Sequence, residues 1–194
     1  MKAWLAGALL LSIAPAGFAQ PFAEKAKVCF GCHGEKGTSQ QPGTPSLGGQ
    51  TSFFVIAQLF LMRDGRRTKR PTPMDPFAKG LSDDELRAYG DLFAKQPPPA
   101  PPGGTVDAAR YAKGRALAGQ HNCGSCHNPD YSGQQQTPRV ANQREDYLLQ
   151  AMRDYKQGQR VGYGRPAMVE VVVPLADADL AALAYYLAHF RPKP

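Results

Sequence analysis

The amino-acid sequence predicts an all-α protein made of two tandem domains, each a small helical bundle. Three observations support this fold class. The pattern Cys-x-x-Cys-His that begins at Cys29 recurs at Cys123, 94 positions later, which indicates an internal duplication. A run of prolines and glycines at 97–104 separates the copies and favours neither helix nor central strand. Apolar residues in the last helix predicted for each half recur at helical spacing, and we expect no substantial sheet.

Composition divides the chain into four segments. Residues 1–19 have the pattern of a secretory signal peptide, with an apolar run after Lys2 and small residues at the cleavage positions. An N-terminal domain is predicted at 20–96, a linker at 97–104 and a C-terminal domain at 105–194. Export by such a signal predicts a periplasmic protein. The apolar run is shorter than the roughly 20 residues of a membrane span, although an uncleaved membrane anchor stays open as the alternative.

The helices are predicted to follow in a similar order in both halves. They are expected at 21–31, 51–63, 82–93, 106–120, 144–157 and from about 177 to 190. The helix that begins at Ser82 has Glu85 three residues later, which predicts a capping box. Its counterpart in the second half ends before Pro192, which cannot continue a helix.

All cysteines of the chain lie in two Cys-x-x-Cys-His motifs. The motif residues are Cys29, Cys32, His33, Cys123, Cys126 and His127. This spacing is the attachment signature of c-type haem, because two thiols add to the haem vinyl groups while the adjacent imidazole reaches the iron. Zinc sites use a similar spacing and stay open; a disulfide or a thioredoxin-like site does not account for the histidine in both motifs. We therefore expect two covalently bound haem c groups.

A duplicated haem site should repeat its second axial ligand at the same offset. Met74 and Met168 meet this condition, since each lies 41 residues after its motif histidine, and thioethers are known axial ligands of haem iron. Met62 and Met152 do not meet it and are expected to fill the core. The valine-rich segment 169–173 has β propensity, but its place after Met168 predicts an apolar loop that covers the haem.

The chain is basic, with a formal net charge of +7. An excess of positive charge favours nucleic acid or anionic membranes as partners, but the propionates of two haems would offset most of it, so we expect no nucleic-acid partner. The cationic cluster 66–70 is typical of a solvated loop; docking of an acidic partner and neutralisation of haem propionates are the alternatives. His121 and His189 do not recur at the repeat offset and are expected to be exposed or at helix ends.

With these motifs the chain resembles the class I cytochrome c fold taken twice and, most closely, the dihaem cytochrome c4 family. The resemblance is carried by both Cys-x-x-Cys-His motifs, Pro45-x-Leu47, Pro138-x-Val140 and Met74-Asp75-Pro76-Phe77-Ala78. It implies that the carbonyls of Pro45 and Pro138 accept a hydrogen bond from the motif histidines, which fixes the ring orientation and the ligand basicity. A simple turn proline is the alternative for each. The surroundings of Met168 depart from the pattern, so its assignment depends on position.

The ligand set predicts electron transfer rather than enzymatic turnover, because an iron with histidine and methionine ligands has no open coordination position. The resemblance implies a respiratory chain, with a quinol-oxidising complex or dehydrogenase as donor, a terminal oxidase as acceptor, and peripheral association with membrane complexes. Two alternatives stay open. One is a dihaem oxidoreductase of the peroxidase or thiosulfate dehydrogenase type, and the other is an electron-transfer subunit of a larger dehydrogenase or oxidase complex.

Overall fold

The structure, a computed structural model, describes residues 19–192, and the side chains from residue 22 onwards. The signal peptide predicted at 1–19 therefore lies outside the described residues except for Ala19. The described part is helical, and its β-structure consists of two isolated bridges, Thr68 with Arg160 and Gln134 with Thr137. This confirms the all-α fold class. None of the helices in this part has the length and apolarity to cross a membrane.

The first half contains four α-helices and a short 3-10 helix among the described residues. They are α1 (Ala19–His33), the 3-10 helix Glu35–Gly37, α2 (Ser52–Arg63), α3 (Asp75–Ala78) and α4 (Asp83–Ala94). Local side-chain bonds explain where α2 and α4 begin. The Thr51 side chain accepts a hydrogen bond from the N–H of Phe54 at the start of α2. Ser82 and Glu85 form the predicted capping box at the start of α4.

The second half has five described helices. They are α5 (Ala108–Gln120), α6 (Cys123–His127), α7 (Glu145–Lys156), α8 (Ala167–Val172) and α9 (Asp177–Ala188). The second motif forms a helix of its own, because Asn122 has a left-handed backbone with φ of 50° and interrupts the chain between α5 and α6. In the first half, by contrast, α1 continues through the motif to His33.

The prediction of a loop at 169–173 is wrong, because most of this segment lies in α8. The N–H of Val173 donates to the carbonyl of Val169, and Val172 is buried with 1% exposure. Burial of this side chain in the core of the second half outweighs the β propensity of valine, which depends strongly on context. His121 and His189 lie at the C-terminal ends of α5 and α9, as expected.

Close helix packing forms the core of each half. In the first half α2 packs on α4, and in the second α9 packs on both α5 and α7. Two glycines permit the closest approaches. A Cβ added at Gly90 of α4 would lie 2.7 Å from the side chain of Ile56, and one added at Gly114 of α5 would lie 2.2 Å from the carbonyl oxygen of Ala182. The helices therefore approach each other almost backbone to backbone at these points.

The two halves contact each other directly. In the segment 66–70 the N–H of Lys69 donates to the carbonyl of Gln159, and the carbonyl of Arg67 accepts from the N–H of Val161, both at 2.9 Å. Arg70 forms an ion pair with Asp154. The expectation of a solvated loop is confirmed for the exposed residues Arg66, Lys69 and Arg70. It is wrong for Arg67, which is half-buried, and contacts with the second half hold the backbone of the segment in place.

Candidate haem sites

The four cysteines are free thiols that stand on short helical segments. Cys29 and Cys32 lie in the last part of α1, one helical turn apart, and Cys123 and Cys126 have the same relation in α6. The first cysteine of each pair is half-buried and the second is exposed. Burial raises the pKa of the thiols of Cys29 and Cys123. In each motif two sulfurs therefore lie on one helical face, where both could attach to one haem.

Both motif histidines are buried and held by a proline carbonyl. His33 is 4% exposed and His127 is 8% exposed. Nδ1 of His33 lies 2.8 Å from the carbonyl oxygen of Pro45, and Nδ1 of His127 lies 2.8 Å from that of Pro138. Because a carbonyl oxygen only accepts, Nδ1 carries the proton and donates it. The lone pair of Nε2 is then available in each ring.

The neutral form of these rings is favoured by their surroundings. Burial lowers the pKa of His33 and of His127, and the bonds to the proline carbonyls oppose this only in part. Nε2 of His33 is buried and has no hydrogen-bond partner in the described part of the chain. A buried nitrogen with a lone pair and no donor nearby is costly to leave unsatisfied. It has the chemistry required of a ligand to haem iron.

The two candidate methionines occupy corresponding places. Met74 is the residue that precedes α3, and Met168 is the second residue of α8, so each stands at the start of a short helix. Both are half-buried, and Met168 packs against the core of the second half. Met152, by contrast, is buried in that core with 7% exposure, as expected for a packing residue.

Two arginines lie side by side between the halves. The guanidinium groups of Arg67 and Arg160 both donate to Oε1 of Gln58, at 3.0 and 2.9 Å, and Arg67 also donates to the hydroxyl of Tyr147 at 3.1 Å. Burial and the like charge of Arg160 lower the pKa of Arg67. Neither guanidinium forms an ion pair with a carboxylate of the described residues. In the second half, Arg139 follows Pro138 directly. Its Nε is buried and has no hydrogen-bond partner among the described residues.

These features fit a haem group in each half. The thiols match its vinyl groups, the bare imidazole nitrogen matches its iron, and the unpaired guanidinium groups match its propionates. Sequence reasoning found the cysteines, histidines, prolines and methionines, but it missed Arg160, Arg139 and Gln58. A signal for the interface existed in the repeat, because Gln50 and Gln143 correspond at an offset of 93; their role depends on how the halves pack.

Comparison with known proteins gives consistent matches. The family model for cytochrome c matches residues 111–191. The chain is 30% identical to cytochrome c4 of Pseudomonas aeruginosa over 182 residues, which are 89% of this chain and 88% of that protein. It is also 30% identical to the thiosulfate dehydrogenase electron acceptor of Thiomonas intermedia over 184 residues, 90% of this chain and 83% of that one.

Solved structures show the same likeness in three dimensions. The crystal structure of reduced recombinant cytochrome c4 from Pseudomonas stutzeri matches with a TM-score of 0.76 and 26% identity, over 91% of this chain and 100% of that chain. A thiosulfate dehydrogenase from Marichromatium purpuratum matches with a TM-score of 0.72 and 27% identity, over 89% of this chain but only 40% of that chain.

Proposed function

The chain belongs to the dihaem cytochrome c4 family, and we propose that it works in the periplasm, where it carries electrons to a terminal oxidase of a respiratory chain. Members of this family carry two covalently bound haem c groups, which also decides against the zinc alternative. The observation that carries the proposal occurs in both halves. It is a buried imidazole whose Nδ1–H is bonded to a proline carbonyl, which leaves Nε2 available for iron.

We assign the residues of each site from their chemistry and position. The proposed haem attachments are Cys29 and Cys32 in the domain at 20–96, and Cys123 and Cys126 in the domain at 105–194. The proposed iron ligands are His33 with Met74, and His127 with Met168. When bound, each haem supplies one-electron exchange between ferrous and ferric iron, and the soft thioether favours the ferrous state.

The protein side of each site suits electron transfer rather than substrate chemistry. Two protein ligands to each iron leave no coordination position open, and the bond to Pro45 or Pro138 holds each imidazole in one orientation whichever charge the site carries. Nε2 of His33 is buried in the protein interior, and His127 as a residue is 8% exposed. A site whose geometry changes little on gaining one electron exchanges electrons readily with a redox protein partner.

We assign Arg67 and Arg160 to the haem propionates. Arg160 is buried with 6% exposure and Arg67 is half-buried beside it. Adjacent cations that form no ion pair with a carboxylate are unfavourable in such a place unless an anion compensates them. A bound haem brings two carboxylates, and guanidinium groups bind carboxylates through paired hydrogen bonds. This supports the alternative role of the cluster 66–70, namely neutralisation of propionates, at Arg67. Docking of a partner by that cluster is then left to Arg66 and Lys69, because the third exposed member, Arg70, is paired with Asp154.

Absorption spectra of the oxidised and reduced holoprotein test the ligand assignment. We expect low-spin iron in both states and a ferric thioether charge-transfer band with the intensity of two haems. A high-spin component in the oxidised protein would show an open coordination position and support the oxidoreductase alternative. For the acceptor, the reduced protein is mixed with membranes that contain a terminal oxidase. Reoxidation that cyanide blocks supports the proposal, and reoxidation no faster than in buffer contradicts it.

A second candidate is favoured by the relatives that are named thiosulfate dehydrogenase electron acceptors. In that case the donor is a thiosulfate dehydrogenase, and the chain acts as its electron-transfer subunit or soluble partner. Three mixtures separate the candidates: the oxidised protein with thiosulfate, with thiosulfate and the dehydrogenase, and with the dehydrogenase alone. Reduction only in the complete mixture supports the partner role. Reduction of the protein by thiosulfate alone supports an enzymatic role. If the protein is reduced in none of the mixtures, the partner role and the enzymatic role are both excluded.

A further inference from the structure

Two glutamines form equivalent hydrogen bonds from one half to the other. Oε1 of Gln143 accepts a hydrogen bond from the N–H of Ser46 at 2.8 Å, and its Nε2 donates to the carbonyl of Ser46 at 2.7 Å. Oε1 of Gln50 likewise accepts from the N–H of Arg139 at 3.0 Å, and its Nε2 donates to the carbonyl of Arg139 at 2.7 Å. Both glutamines are 4% exposed. Each side-chain amide thus pairs with the backbone of one residue in the opposite half.

The residues held in this way are those that follow the two ligand-supporting prolines. The carbonyl of Pro45 and the N–H of Ser46 are the two ends of a single peptide group. A continuous line of hydrogen bonds therefore leads from Nδ1–H of His33, through this peptide group, to Oε1 of Gln143. The first part of the line lies in the N-terminal half and its end lies in the C-terminal half.

The second site has the same line in the opposite direction. Nδ1–H of His127 donates to the carbonyl of Pro138, and the N–H of the same peptide group, which belongs to Arg139, donates to Oε1 of Gln50. The two lines are reciprocal, because each half supports the imidazole of the other. Neither glutamine lies in a line that leads to the histidine of its own half.

Hydrogen bonds that share a peptide group polarise one another. When the N–H donates to a glutamine oxygen, electron density moves to the carbonyl oxygen at the other end, which becomes a stronger acceptor by about 10–30%. A stronger acceptor draws the Nδ1 proton of the imidazole and raises the basicity of its Nε2. A more basic ligand favours ferric over ferrous iron. Burial keeps water from replacing the glutamine in this role.

We infer that Gln143 and Gln50 are positioning residues for the haem site of the opposite half: Gln143 sets the ligand basicity of His33, and Gln50 sets that of His127. This rests on the proposed ligation of iron by the two histidines. Its consequence is that the midpoint potential of each site depends on a residue from the other half. The contact between the halves then adjusts two redox centres in addition to joining them.

The substitutions Gln143→Met and Gln50→Met, made separately in the full holoprotein, test this inference. Methionine keeps the length of the side chain and removes both hydrogen bonds to the opposite half; at Gln143 it also removes the bond from the N–H of Arg144 within the same half. Two quantities are measured: the chemical shifts of both Nδ1 protons in the ferrous protein by 15N-resolved NMR, and the two midpoint potentials. We expect Gln143→Met to move the His33 proton upfield and to raise the potential of that site, with smaller changes at His127. Gln50→Met should give the converse pattern.

Thr51→Val is the control. The Thr51 hydroxyl donates across the contact to the carbonyl of Gln135 and accepts from the N–H of Phe54 at the start of α2, so valine removes one uncharged bond between the halves and one helix cap, and neither bond involves a proline peptide. Thr51→Val should change the stability of the protein. It should not produce a change in an Nδ1 proton shift or a midpoint potential that is larger in the half opposite the substitution. If Gln143→Met does not fold, Gln143→Asn takes its place, because the shorter amide loses its reach to Ser46 and stays polar.

Failure of this inference can be distinguished from failure of the proposed function. A wild-type protein without low-spin iron in both sites refutes the ligation by His33 and His127 before any variant is made. With normal wild-type spectra, the inference is overturned if both histidines shift equally, or if the larger shift falls in the same half as the substituted glutamine. In either case the glutamines act on packing alone.

Discussion

Gly114→Ala tests the contact between α5 and α9 that supports the second site. The added Cβ would lie 2.2 Å from the carbonyl oxygen of Ala182 and 2.5 Å from Cβ of Tyr186. Neither atom can rotate away, so the helices must separate by about 1 Å to restore ordinary contact. Overpacking of this kind costs about 3 kcal/mol at the upper end of its usual range, while the better helix propensity of alanine returns about 1 kcal/mol. We expect a net loss of about 2 kcal/mol in the free energy of unfolding.

The assay is denaturant unfolding of the holoprotein, followed by far-ultraviolet circular dichroism. Gly119→Ala is the control on the same helix, since nothing lies within 4 Å of a Cβ added there. It should stabilise the protein by up to about 1 kcal/mol. If Gly114→Ala proves as stable as Gly119→Ala, then α5 and α9 are not in the close contact described above and the reasoning fails.

Three further predictions concern ligands, charge and pH. Met74→Ala and Met168→Ala should each remove about half of the ferric thioether charge-transfer band, in proportion to one of two equivalent haems; an unchanged band excludes the substituted methionine as a ligand. Arg67→Met should lower a haem midpoint potential, because the loss of a nearby cation favours ferric iron, and potentiometry that shows no change contradicts its placement at a propionate. The bond from Lys25 and the N–H of Ser82 lower the pKa of Glu85 from 4.5 to about 2, so its contribution to stability is present above pH 4.5 and is lost as the pH falls toward 2. Unfolding curves across that range should therefore show a weaker pH dependence for Glu85→Gln than for the wild type, and equal dependence would refute the assignment.

Features set by neighbouring residues could be predicted from the sequence. The capping box at Ser82 and Glu85 needs only four consecutive residues, and the haem motifs need only five. The duplication then supplied the rest of each proposed ligand set through its constant offset. The error at 169–173 shows the limit of this approach, because the burial of Val172 in the core decides for a helix where local propensity does not.

The contact between the halves could not be predicted in the same way. Ser46 and Gln143 are 97 residues apart in the chain, and nothing local to either residue indicates the partner. The cluster 66–70 has the composition of a solvated loop, yet Arg67 is turned towards Tyr147 and Gln58 by packing that only the folded chain defines. The end of α5 at Gln120 agrees with the helix predicted at 106–120, whereas the separate helix α6 at the second motif and the continuation of α1 to His33 were not predicted.

The reciprocal glutamine pairs also have the arrangement of an isologous dimer interface, in which one self-complementary patch meets its own copy around a two-fold axis. A single ancestral half with one such patch could bind a second copy of itself, at a strength limited by its concentration. Joining the copies through the linker at 97–104 replaces that encounter by an intramolecular one at an effective concentration in the millimolar range. Each half is then free to diverge in sequence, as long as it keeps the glutamine that its neighbour requires.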